Sequence, residues 1–173
     1  MKRLFVTVIL LLVVFAMSAA PASVQASDNF TAILSGGDEV PARDTLARGV
    51  ATFKWNKEGT ELRYTLIAAN IENVVAAHIH CGAPGVNGPV GVTLYSSGGV
   101  LGAGRFDGVL AQATKTAPDP AAAAACNWVT MADVFNAMQS GNTYVNVHTN
   151  DGVAPTNTGA GDFPGGEIRG QVQ

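Results

Sequence analysis

Alternation of apolar and polar residues, interrupted by short clusters of Gly, Pro, Asn and Asp, runs through most of the chain and constrains its fold more than any other feature. In residues 49–55, Ala51, Phe53 and Trp55 fall on one face of an extended segment and mostly polar side chains fall on the other. Comparable segments follow at 61–68, 74–81, 90–95, 100–110, 142–149 and 167–172. Short alternating segments separated by turn residues are typical of antiparallel all-β domains. We therefore predict an antiparallel β-sandwich of Greek-key-like topology, with about seven strands.

Two stretches in the second half of the chain depart from this alternation. Residues 111–125 contain a Pro-Asp-Pro sequence and five consecutive alanines, which offer too little apolar bulk for a core element. We expect this stretch to cross the surface. Residues 130–141 begin with a capping-box sequence, end in a glycine, and carry Met131, Phe135 and Met138 on one stripe. They predict one short helix that covers an end of the sandwich like a lid.

The N-terminus has the arrangement of a secretory signal peptide. Two basic residues precede an apolar run at 4–17, and mostly small residues follow up to Ala26. A membrane span needs about 20 apolar residues, more than this run offers. We expect cleavage after Ala26, which divides the chain into a signal peptide, residues 1–26, and one domain, residues 27–173. The mature protein would then be secreted or periplasmic, without a membrane anchor.

Charge and motif content limit the classes of function. The formal net charge is −3, with 10 Lys and Arg against 13 Asp and Glu, so the basic surface expected of a nucleic-acid-binding protein is missing. The sequence contains no nucleophile elbow and no phosphate-binding glycine motif. We therefore expect a protein without enzymatic activity, whose partner is a protein or a small ligand that the sequence does not identify.

Export affects the interpretation of Cys81 and Cys126, the two cysteines of the chain. An oxidising compartment favours a disulfide bond between them. The alternative is that Cys81 is a thiolate metal ligand beside the histidines, because a bound metal can protect a thiolate from oxidation. We favour the disulfide bond, because a thiolate in such a compartment usually oxidises unless a metal holds it.

All three histidines of the chain lie in two of the predicted strands. Alternation places His78 and His80 on the same face of segment 74–81, and it places His148 on the polar face of segment 142–149. If the two strands are neighbours, the three imidazoles converge. Three neutral imidazoles with an open fourth position suit copper or zinc, with Asn146, Glu167 or Asp162 orienting a ring nitrogen from outside.

Other interpretations of the histidines need no metal. They can be polar, half-exposed strand residues without a ligand, or they can hydrogen-bond the glycine-rich loops. We favour this interpretation over the metal site because the pairing of the two strands is an assumption. A pH-dependent interface is a weaker third alternative.

A set of short motifs in fixed order resembles the chordin-type (CHRD) domain family. The resemblance covers about residues 29–172 and implies an extracytoplasmic β-sandwich, found in chordin, an extracellular antagonist of bone morphogenetic proteins, and in many exported microbial proteins. It implies no enzymatic activity, and growth-factor binding belongs to cysteine-rich modules of chordin that this chain lacks. The motifs are LSGGDEVP at 34–41, AHIHCG at 77–82, GPV at 88–90, GNTYVNVHT at 141–149 and GEIRGQ at 166–171.

The motifs also draw attention to four polar residues on predicted strands, Tyr144, Asn146, Glu167 and Arg169. Alternation places Glu167 and Arg169 on one face, where a charge-assisted network beside the histidines would fix the strand register. Our leading hypothesis is an exported, non-catalytic binding or structural module with this His/Asn/Glu/Arg face as its candidate site. The alternative is a metalloprotein in which the three histidines bind one copper or zinc ion.

Overall fold

The computed structural model describes residues 29–173, so the predicted signal peptide lies outside the described residues. Eight strands and two helices form within this range, and a single 3₁₀ turn, Gly36–Asp38, follows the first strand. In chain order they are β1 (Asn29–Ser35), β2 (Arg48–Trp55), β3 (Leu62–Glu72), β4 (Val74–Cys81), β5 (Val90–Ser96), β6 (Arg105–Lys115), α1 (Ala122–Ala125), α2 (Met131–Gln139), β7 (Thr143–Thr149) and β8 (Ile168–Gln171).

The eight strands form one sheet in the order β5-β4-β7-β8-β1-β2-β3-β6. All of its pairings are antiparallel, which confirms the predicted antiparallel all-β fold. The sheet curls until its two end strands, β5 and β6, contact each other and give a nearly closed barrel. The two layers expected of a sandwich are the two halves of this single sheet.

Inward-facing side chains from both halves of the sheet form one hydrophobic core. On β2, Ala51, Phe53 and Trp55 are buried, as their alternation predicts. The hydroxyl group of Tyr64 on β3 reaches across the core and donates to the carbonyl oxygen of Leu94 on β5 at 2.6 Å. Burial of each large apolar side chain stabilises the fold by about 1.5–3 kcal/mol. The core therefore fixes which residues of every strand face outward.

The predicted lid helix is present as α2. The backbone N–H of Thr130 donates to the carboxylate of Asp133 at 2.8 Å, which completes the first turn as a capping box. Phe135 packs edge-on against Trp55, with the ring centroids 5.2 Å apart, so the helix covers one end of the core. No helix among residues 29–173 has the length and hydrophobicity that a membrane crossing requires.

Most of residues 111–125 lie at the surface, as expected, but regular secondary structure forms at both ends of the stretch. Strand β6 continues to Lys115, because β3 provides a backbone partner that places Leu62 opposite Lys115. Backbone pairing of this kind needs no apolar bulk on the added strand. At the other end the alanines form α1, and Ala122 is fully buried.

Candidate functional site

The two strands that carry the histidines, β4 and β7, are direct neighbours in the sheet. In their antiparallel register His78 lies opposite Asn146, and His80 lies opposite Tyr144. His148 follows Asn146 by two residues and shares its face. The apolar residues between them are buried in the core, which leaves the histidines on the outer face of the sheet.

The three imidazoles converge at one point of this face. His78 Nδ1 and His148 Nε2 are 3.0 Å apart, and one nitrogen of each of the three rings, His80 included, lies within 4.8 Å of the other two. Nitrogen atoms bound to one zinc ion at about 2.0–2.1 Å are about 3–4 Å apart. Small rotations of the side chains would therefore place all three nitrogens on a single ion.

Backbone carbonyl groups of two loops fix the orientation of two of the rings. His80 Nδ1 lies 2.8 Å from the carbonyl oxygen of Gly88, and His148 Nδ1 lies 2.9 Å from that of Pro164. Because a carbonyl oxygen only accepts, both Nδ1 atoms carry the proton and each Nε2 atom keeps its lone pair. His80 Nε2 is buried without a hydrogen-bond partner. Both rings therefore offer Nε2 as a ligand atom.

Of the three side chains that the sequence suggested as orienting groups, Asn146 contacts a histidine ring, whereas Glu167 and Asp162 have other partners. Glu167 accepts hydrogen bonds from the hydroxyl groups of Thr45 and Thr149, both at 2.6 Å, and Asp162 accepts hydrogen bonds within its own loop. Asn146 lies against His80 and interacts with its ring. The expected hydrogen bonds to the glycine-rich loops are formed by Nδ1 of His80 and by Nδ1 of His148. Nε2 of each ring is left for a ligand.

Burial sets the charge state of the three rings. It lowers the pKa of His78 and of His80 to about 4, and it lowers the pKa of His148 as well. The neighbouring imidazoles lower the pKa of His78 further, while Asp119 raises it. The rings are therefore neutral at pH 7, the form in which imidazole binds metals. With pKa values of about 4, His78 and His80 titrate below the range in which a histidine interface would respond to physiological pH.

A stack of side chains supports His80. The ring of Tyr144 lies parallel to the imidazole with the centroids 4.8 Å apart, and the guanidinium carbon of Arg169 lies 3.4 Å from the centroid of the Tyr144 ring. Arg169 also donates to three oxygen atoms of the 82–89 loop, at 2.9, 3.0 and 3.4 Å. Two members of the predicted polar set thus hold the loop that supplies the Gly88 carbonyl group.

Loops cover most of the polar face that the sequence predicts as the candidate site. Asn146, Glu167 and Arg169 are only 3%, 0% and 2% exposed, because the 82–89 loop and the segment that follows β7 fold over them. His78 and His148 are partly exposed. The site is therefore accessible to small ligands at the histidines, and most of the polar face is closed to a macromolecule.

Glu39 also belongs to this site, although it was not among the site residues predicted from the sequence. It is 6% exposed, and burial raises its pKa to about 7 against the lowering effect of Arg169 and Arg43. Its carboxyl group interacts with the amide of Asn146. The one available sequence signal was its place in the motif at 34–41, because the turn that carries it folds back over the sheet from a distant part of the chain.

Cys81 and Cys126 form a disulfide bond, with their Cα atoms 5.8 Å apart, as the sequence predicted. The alternative in which Cys81 is a thiolate metal ligand is wrong, because its sulfur is already bonded. Cys81 follows His80 directly, at the end of β4. The bond therefore anchors the end of the strand that carries two of the three histidines.

A comparison with family models matched the CHRD domain over residues 30–172. The match includes all eight strands except the first residue of β1, and so every residue of the histidine site. Comparisons with curated proteins and with solved structures found no match.

Proposed function

The chain belongs to the CHRD domain family, and we propose that this member is an extracytoplasmic protein that binds one copper or zinc ion through His78, His80 and His148. The ligand atoms would be His78 Nδ1, His80 Nε2 and His148 Nε2. Three neutral imidazoles on two adjacent strands give a positively charged complex with an open fourth position.

One observation carries this proposal above all. His80 Nε2 is a buried lone pair without a donor, and the hydrogen bond from Nδ1 to Gly88 prevents the ring from using that nitrogen instead. A buried acceptor without a partner costs about 1–3 kcal/mol. A metal ion at this nitrogen removes that cost, whereas a purely structural role for the ring leaves it in place.

The contact between the other two rings would provide the remaining two ligand atoms. His148 Nε2 keeps its lone pair because Nδ1 donates to Pro164, and it faces His78 Nδ1 at 3.0 Å. A proton on His78 Nδ1 would make this a hydrogen bond. When that proton moves to Nε2 of the same ring, two lone pairs face each other, and a cation between them is the stabilising occupant.

Location outside the cytoplasm is part of the proposal. The disulfide bond supports it, because such bonds persist in oxidising compartments. The apolar run at 4–17 supports it as the central part of a signal peptide. We propose residues 1–26 as the signal peptide and residues 27–173 as the mature domain.

Copper titration of the exported, chelator-stripped protein tests the proposal. We expect one Cu²⁺ per chain, bound more tightly than Zn²⁺ as the Irving–Williams order requires. His80→Ala and His148→Gln should each weaken copper binding by about 100-fold or more. Loss of a group that only orients a metal ligand costs about 10–100-fold, and loss of a ligand itself should cost at least the upper end of that range. Gln112→Ala, an exposed residue on β6, is the matched control and should bind like the unaltered protein. Equal copper affinity in all four proteins, with the variants folded, would exclude the histidine site.

A further inference from the structure

Three buried polar atoms without hydrogen-bond partners lie around the histidine site. They are Glu39 Oε1, Asn146 Oδ1 and His80 Nε2. Their residues are 6%, 3% and 7% exposed, so bulk water does not satisfy them. Buried polar groups are paired in nearly all protein structures, and a group of three exceptions in one place indicates a missing partner.

Asn146 connects the other two residues. It lies opposite His78 in the sheet, and its amide interacts with both the His80 ring and the Glu39 carboxyl group. Glu39 Oε1 and Asn146 Nδ2 also approach the same point above Gly166: a Cβ atom on this glycine would lie 2.5 Å from the first and 2.6 Å from the second. Any larger residue at position 166 would therefore displace the two side chains. The φ angle of Gly166, +126°, also favours glycine.

The three unpartnered atoms are all acceptors when the carboxyl group is ionised. His80 Nε2 is a lone pair because Nδ1 donates to Gly88, and Asn146 Oδ1 is a carbonyl oxygen. None of the three atoms has a hydrogen bond within ordinary distance and angle limits, although the Asn146 amide lies beside the His80 ring and the Glu39 carboxyl group, and the unpartnered Nε of Arg43 belongs to a side chain that faces Glu39. A metal ion would satisfy His80 Nε2. A water molecule bound to that ion has two O–H bonds, which match the two acceptors that are left.

We infer that the fourth position of the metal site is built to hold a solvent-derived ligand, water or hydroxide, anchored by Glu39 and Asn146. This inference rests on the proposed metal binding. Glu39 and Asn146 are positioning residues, since they act on the ligand of the metal and not on the metal itself. The cations that face Glu39 are Arg43, from the same segment, and Arg169, from β8, and both favour its ionised form.

An anchored solvent ligand would make this a reactive metal site and not a structural one. Structural zinc sites are closed by four protein ligands, whereas reactive sites keep one position for water or substrate. The covering loops limit the exchangeable ligand to a small molecule. We therefore expect the site to exchange its water for small anions and to exclude larger ligands.

Azide binding to the copper-loaded protein tests the inference. The exported protein is loaded with Cu²⁺ and titrated with azide at about pH 8, where Glu39 is ionised, and the azide-to-copper charge-transfer absorption is recorded. Glu39→Gln should bind azide about tenfold more tightly, because it removes a negative charge beside the anion and weakens the hold on the competing water. Glu58→Gln, an exposed residue in the turn between β2 and β3, is the control and should change nothing. Copper affinity, measured in parallel, should be unchanged in Glu58→Gln and should fall by about tenfold at most in Glu39→Gln, as for the loss of a group outside the ligand set and well short of the loss in His80→Ala.

Three other results would overturn the inference, and one of them would also overturn the proposed function. Unchanged azide affinity in Glu39→Gln, with copper bound normally, would overturn the inference and leave the metal site standing. A loss of copper affinity in Glu39→Gln comparable to that of His80→Ala would make Glu39 a direct ligand and also overturn it. Absence of copper binding at the histidines of the unaltered protein would overturn the inference together with the proposed function.

Discussion

Two buried groups of the site should shift the stability of the protein with pH in opposite directions. The pKa of His80 is lowered from 6.5 to about 4, so the folded protein resists protonation there and loses stability as the pH falls from 6.5 toward 4. The pKa of Glu39 is raised from 4.5 to about 7, so its contribution is complete below pH 4.5 and is lost as the pH rises toward 7. Each effect changes the free energy of unfolding by about 1.4 kcal/mol per pH unit where it acts.

Glu39→Gln separates the two effects, because glutamine keeps the shape of the side chain and does not titrate. Between pH 6.5 and 4.5 both groups are active, and Glu39 offsets the loss that one histidine causes. The free energy of unfolding of Glu39→Gln should therefore fall on acidification more steeply than that of the unaltered protein, by about 1.4 kcal/mol per pH unit. Urea unfolding in the presence of a chelator, followed by the fluorescence of the buried Trp55 and Trp128, measures this difference.

Two further proteins make the comparison decisive. Glu58→Gln removes an exposed carboxylate and should run parallel to the unaltered protein. His80→Gln removes one buried imidazole and should fall less steeply on acidification, by a similar amount. Parallel curves for Glu39→Gln and the unaltered protein between pH 4.5 and 6.5 would refute the conclusion that Glu39 is held in a desolvated environment.

Two other substitutions test the supports of the site. Gly88→Ala would place a Cβ atom 1.6 Å from the carbonyl oxygen of Cys81. We expect the free energy of unfolding in urea to fall by about 2 kcal/mol and copper binding to weaken by about 10–100-fold. Gly159→Ala is the control, because its Cβ atom meets nothing within 4 Å, and it should change neither quantity. Glu167→Gln should lower the free energy of unfolding by about 1–3 kcal/mol in the same assay, because the amide would turn a donor toward Thr45, Thr149 or Gly161, which themselves donate. Copper affinity should stay within about threefold, since Glu167 belongs to a separate hydrogen-bond network. A loss of copper binding in Glu167→Gln at unchanged stability would contradict this separation.

Alternation predicted the shared face of the histidines because it is a local property of an extended chain. The side chains of His78 and His80 point the same way in any strand that contains them, whatever the strand pairs with. The same argument holds for Tyr144, Asn146 and His148. Pairing between β4 and β7 is a different matter, since more than 60 residues of chain separate their histidines and no local rule selects the partner.

The groups that prepare the rings for a ligand escaped prediction for a physical reason. Gly88 and Pro164 contribute main-chain carbonyl oxygens, which every residue has, so their identity carries no signal of the role. Glu39 resembles an ordinary turn carboxylate until the chain around it is packed. Its burial results from contacts with β7 and β8, which lie more than 100 residues away in the sequence.

The location of the site on the outer face of the sheet explains how a small protein can combine a stable core with polar, partly unsatisfied groups. Val145 and Val147 point into the core from the same strand that presents Asn146 and His148 outward, so apolar packing fixes the strand without involving the site. The loops supply the orienting carbonyl groups, and the stack of Arg169 on Tyr144 ties one of them down. Because the unpaired acceptors of Glu39, Asn146 and His80 lie in this outer layer, substitutions there should change ligand binding while the barrel keeps its fold, and substitutions of the two valines should do the reverse.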